Sequence, residues 1–142
     1  MDAQTQHAIT QARDEAAHLT TTKQFPLAEE TYRHVIDTVQ QHEGIEATYA
    51  DRYNLSNVLV MQHKYQEAEP ILRDTLGYLA KRHVDDDSGH LLEQEDGTIQ
   101  LLVQSIRGQG RNADADKLMT SSYHGSREEQ LQIRKQVYGL GA

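Results

Sequence analysis

One short pattern occurs three times in this chain and limits the folds open to it. Phe25-Pro26-Leu27-Ala28-Glu29 matches Tyr65-Gln66-Glu67-Ala68-Glu69, and Asn112-Ala113-Asp114-Ala115-Asp116 follows less closely. The small residues Ala28, Ala68 and Ala115 stand 40 and then 47 residues apart. Four residues after each comes a larger side chain: Tyr32, Leu72 and Met119. Before each runs an amphipathic stretch, carrying Leu19, then Leu55 and Leu59, then Leu102 and Ile106. A fixed internal recurrence of this length is the mark of stacked supersecondary units. A small alanine lets two helices approach closely, and the aromatic before it fills the space near the turn.

The units are expected to be helical. Only 2 prolines and 9 glycines interrupt a chain rich in Ala, Gln, Glu, Leu and Arg, and no period-two alternation is sustained. Tyr65, Ala68, Ile71, Leu72, Thr75, Leu76 and Leu79 recur at three- and four-residue spacing, which places them on one helix face. The spacing predicts helices over 3–22, 25–41, 46–62, 65–82, 90–107, 111–122 and 126–138. Pro26 falls at a first helical position, where its missing N–H costs nothing, and Pro70 falls near the end of a first turn. Ser126 and Glu129 have capping-box spacing.

Asn54-Leu55-Ser56-Asn57-Val58-Leu59, followed by Gln62-His63-Lys64-Tyr65-Gln66-Glu67-Ala68-Glu69-Pro70, resembles tetratricopeptide repeats of the variety found in kinesin light chains and in many fungal repeat proteins. The first repeat matches through Phe25, Ala28, Tyr32, Val35 and Ile36. The third departs, with Asn112 where an aromatic belongs and Gly108 and Gly110 at its turn. The resemblance implies an all-α fold, an α-solenoid of about three helical hairpins at 3–41, 46–82 and 90–122. A C-terminal capping helix at 126–138 would complete a single domain over 1–142, with Leu131, Val137 and Tyr138 covering the end of the stack.

It also implies a concave groove that takes a peptide. The inward positions would be Arg13, Ala17 and Thr20, then Tyr53, Asn54, Asn57, Val60 and Met61, then Gln100, Gln104 and Arg107. Amides can hydrogen-bond a peptide backbone without reading its sequence, while Tyr53 and Met61 offer apolar contact. Members of the family that hold a chaperone's C-terminal carboxylate use a clamp of Lys, Asn, Asn, Lys and Arg. Arg13 and Asn54 fit that clamp, but Ala17, Gly97 and Leu101 do not, so a carboxylate would lack charge-assisted bonds.

Charge and composition narrow the function classes. Lys plus Arg is 14 against Asp plus Glu 22, a net charge of −8, which disfavours a partner held through phosphates. Six of the acids (Asp85, Asp86, Asp87, Glu93, Glu95, Asp96) fall in one stretch with no Lys or Arg, read as a solvated insertion that lengthens the second spacing. Counted from Asp85, His90 and Asp96 stand where a calcium loop needs Gly and Glu. With no cysteine there is neither disulfide nor thiolate chemistry. None of the 8 histidines has zinc-helix spacing. Ser121 to Ser126 lacks the strand-to-helix elbow of a hydrolase nucleophile. Asp114 with Asp116, or Glu128 with Glu129, lacks a burying environment for acid–base work.

The expectation is therefore a soluble cytoplasmic protein–protein interaction module with no catalytic residue, cofactor or metal. Its partner would be a protein or peptide, basic if the acidic stretch takes part, and neither nucleic acid nor membrane. The alternatives are a self-associating structural subunit, forming a homo-oligomer, or an enzyme on a helical-repeat scaffold.

Overall fold

A computed structural model of the chain describes residues 1–85 and 89–123, with side chains at 1–82 and 94–122. Every regular element among these residues is helical: α1 (Ala3–Thr21), α2 (Phe25–Glu43), a short 3-10 turn (Ile45–Thr48), α3 (Tyr49–Met61), α4 (Tyr65–Asp85), α5 (Gly89–Gly108) and α6 (Asn112–Tyr123). The six helices follow the predicted spans closely. The expected helix over 126–138 lies outside the described residues. No described helix is long and apolar enough to cross a membrane. The chain forms two compact units, Met1–Lys64 and a second beginning at Tyr65, so the boundary falls inside the expected second hairpin.

In the first unit α1 packs on α2, and α2 on α3. Asp2 caps α1 by accepting the Thr5 N–H at 2.7 Å, and this backbone bond holds its carboxyl below the usual range. Ile9 on α1 meets Val35 and Val39 of α2 in a small apolar cluster, with Ala12 at its edge. In the second unit α4 packs on α5, and α5 on α6.

The recurrent alanines do what the pattern predicts. Ala28, Ala68 and Ala115 are all fully buried, and Tyr32 and Leu72 are buried four residues on. Over the first four turns α2 and α4 repeat nearly the same order of buried and exposed positions. The third repetition is weaker: Met119 is only half-buried, and α6 turns Ala115, Leu118 and Ser122 inward instead. Pro26 is the second residue of α2 rather than the first, still within the turn whose N–H groups have no intrahelical partner. Pro70 is the sixth residue of α4, which continues past it to Asp85.

One expectation needs correction. Glu95, expected within a solvated acidic insertion, is fully buried. α5 begins at Gly89, and helical spacing aligns Glu95 with Thr98, Ile99, Leu102 and Ile106, all buried. Periodicity, not side-chain polarity, decides which way Glu95 points.

Candidate functional site

The same turn is built three times. After α1 the N–H of Lys23 donates to Thr20 O at 3.1 Å, and that of Gln24 to Leu19 O at 2.8 Å. After α3 His63 donates to Val60 O at 3.0 Å and Lys64 to Leu59 O at 2.9 Å. After α5 Gly110 donates to Arg107 O at 2.9 Å and Arg111 to Ile106 O at 3.2 Å. This paired 5→2 and 6→1 bonding is the Schellman motif, which needs a left-handed residue in the middle. Lys23, His63 and Gly110 fill that position with φ of 61°, 59° and 79°.

A carboxylate in the preceding unit of the pattern grips two of these turns. Glu29 Oε1 accepts from Gln62 Nε2 and from Lys64 Nζ, both at 2.9 Å, while Oε2 accepts from Arg33 Nε at 3.1 Å. Glu69 repeats the arrangement with Arg111 in place of Lys64: Oε1 accepts from Gln109 Nε2 and Arg111 Nη1 at 2.8 Å, and Oε2 from Arg73 Nε at 2.9 Å. Each amide also donates back to its own helix, Gln62 to Val58 O and Gln109 to Ser105 O. Burial alone would raise both carboxyls. The hydrogen bonds from Lys64, Gln62 and Arg33 outweigh it at Glu29, and those from Gln109 and Arg73, with the charges of Arg73 and Arg111, do so at Glu69, so both lie below the ordinary value.

Of the expected groove residues, Arg13 is brought together with Asp51, which sequence reasoning missed, and Thr20 with Tyr32, expected only as a packing residue of the first repeat. Arg13 Nε donates to Asp51 Oδ1 at 3.0 Å and Nη2 to Oδ2 at 2.7 Å, a two-pronged pair joining α1 to α3. Asp51 is buried, whereas the Arg13 side chain is 41% exposed. The Asp51 hydrogen bond raises Arg13 above its ordinary value against the cost of burial, and the charges of Asp51 and Glu43 add to it. Burial pushes the Tyr32 phenol up; a hydrogen bond with Thr20 works against this and the Asp51 charge with it. The Thr20 hydroxyl itself donates to Ala16 O at 2.8 Å.

On α3, Tyr53, Asn57 and Met61 recur every four residues and form one stripe. Tyr53 and Asn57 are half-buried, while Met61 and the adjacent Asn54 are exposed. Gln100, Gln104 and Arg107 lie exposed on α5 in the second unit. Arg107 is not a lone cation, since its Nη2 donates to Asp116 Oδ1 at 2.6 Å. Both arginines expected to meet a ligand are thus already paired with acids. No signal in the sequence marks Asp51, because its repeat counterparts, Gln11 and Thr98, are not acidic.

Among the described residues no three His, Asp or Glu side chains gather to hold a metal ion. Comparison with family models, curated proteins and solved structures finds no match to this chain.

Proposed function

We propose that this chain is a helical-repeat module of the tetratricopeptide type whose task is to bind a peptide or protein segment, without catalysis of its own. The observation that carries the reading is the recurrence of one turn at three places, with an equivalent carboxylate grip on two of them. Such agreement between sequence period, backbone bonds and side-chain grip is what a repeat architecture requires. The binding face in this reading lies within the first unit, with Arg13 on α1 and the stripe of Tyr53, Asn54, Asn57 and Met61 on α3. It combines an amphipathic ring, an adaptable thioether and neutral amides, a set suited to an extended main chain.

Selection of a random peptide display library on the full chain tests this. Peptides recovered by the wild type should lose at least tenfold in affinity for an Asn54→Ala, Asn57→Ala, Met61→Ala variant, the scale of a few lost interface contacts. A control with His34→Ala and Gln40→Ala on the exposed side of α2 should keep them. Failure to recover any peptide, or equal loss in both variants, would refute the assignment.

A further inference from the structure

Arg13 has five N–H donors in one plane, and Asp51 engages it from the buried side through Nε and Nη2. The carboxylate has almost no exposure (4%), so the guanidinium is pinned along one edge, while the Arg13 side chain as a whole keeps 41% of its exposure. A second acid, Glu43 at the end of α2, acts on the same guanidinium. Coulomb energy falls as the reciprocal of distance, so the Asp51 carboxylate, in hydrogen-bond contact with the guanidinium, offsets most of its attraction for an incoming anion, and the charge of Glu43 offsets more. The remaining N–H groups can still donate to a neutral acceptor such as a peptide carbonyl.

We propose that Asp51 is a specificity-determining residue of this face: it holds Arg13 as a hydrogen-bond donor without effective positive charge, so that neutral or basic peptides are accepted and carboxylate-bearing ones rejected. The proposal rests on the peptide-binding reading for its natural ligand, but the charge selectivity it assigns can be read with defined probes. Asp51 acts through Arg13 and is a positioning residue. Its exclusion of acidic ligands is a case of selectivity obtained by an unfavourable charge placed against the wrong partner.

The experiment uses two fluorescein-labelled peptides, one glutamate-rich and one lysine-rich, both acetylated and amidated, in anisotropy titrations of the full chain at low ionic strength. Wild type should bind the lysine-rich peptide in preference. Asp51→Asn should raise affinity for the glutamate-rich peptide by about tenfold, the worth of one charge-assisted hydrogen bond. The double variant Arg13→Gln, Asp51→Asn should lose that gain. Since Asp51 is buried, the exposed Glu43→Gln provides a second arm in an undisturbed fold, with an expected gain of roughly twofold to threefold. Asp37→Asn makes the same change in net charge elsewhere on α2 and should change nothing. A gain that survives loss of Arg13, or appears equally in Asp37→Asn, overturns the proposal, as does no gain in either Glu43→Gln or a folded Asp51→Asn. If the library yields no wild-type ligand while Asp51→Asn still gains the acidic probe through Arg13, the peptide-module reading fails and the charge assignment stands.

Discussion

Replacing Lys23 by glycine should stabilise this protein, the reverse of what glycine does at most exposed helical positions. Lys23 is exposed and sits at φ 61° in the first Schellman turn, where an L side chain costs about 1–2 kcal/mol. Glycine removes that cost but widens the unfolded ensemble by about 0.4–1 kcal/mol. The difference is a gain of roughly 0.5–1 kcal/mol, since both turn bonds are made by backbone groups that the substitution leaves in place. The third turn gives the opposite sign. Gly110 has φ 79° and open space where a Cβ would stand, so Gly110→Ala should lose a similar amount through backbone strain alone. Gln11→Gly, exposed within α1, should lose about 0.8–1 kcal/mol as an ordinary helix substitution. Urea unfolding followed by circular dichroism reads all three, and with m of about 1–3 kcal/mol/M the Lys23→Gly midpoint should rise by several tenths molar. If Lys23→Gly falls in step with Gln11→Gly, the left-handed turn is not what limits that position.

Gly108→Ala should cost about 1–3 kcal/mol by overpacking, because an added Cβ would run into the Tyr65 ring; combining it with Tyr65→Leu should recover much of the loss in thermal melts. Glu29→Ala and Glu69→Ala should each destabilise by about 1–2 kcal/mol, discounted for the exposure of Lys64 and Arg111, while Glu30→Ala, next to Glu29 and exposed, should be near neutral. The same carboxyls set a pH dependence. Their folded values lie below the ordinary one, so their contribution is fully present above the unfolded carboxylate value and is lost as pH falls through the folded value. Stability should therefore decline below about pH 4.5, and less steeply in a Glu29→Gln, Glu69→Gln variant followed by the same urea assay.

What the sequence displays is whatever recurs with a period. Ala28, Ala68 and Ala115 could be found because a helix contact that tolerates only a small side chain imposes the same residue wherever the contact recurs. The helix boundaries followed, since apolar spacing and turn residues are local properties. The third hairpin was harder to read because Gly110 supplies by backbone freedom what Lys23 and His63 supply under strain, so the turn is conserved in geometry and not in residue type. The same holds for the grip on it, where Arg111 replaces Lys64 in the same role.

What does not recur stayed hidden. Asp51 and Arg13 are 38 residues apart, outside the 40-residue step, and nothing local distinguishes Asp51 from an exposed acid in the first turn of a helix. Only the approach of α1 to α3 gives it a partner, and that approach is a tertiary fact. Glu95 shows the same thing from the other side: its charge suggested solvent, while its register along α5 placed it among buried neighbours. Where a pattern recurs along a chain, individuality comes from such exceptions. Side chains that obey the period explain why the chain folds, whereas a ligand preference has to be written in those that break it. Asp51 breaks it from beneath Arg13, on the face proposed to take a peptide, which is why its replacement by asparagine, more than that of any residue of the recurrent pattern, is the change expected to alter the charge of peptide accepted.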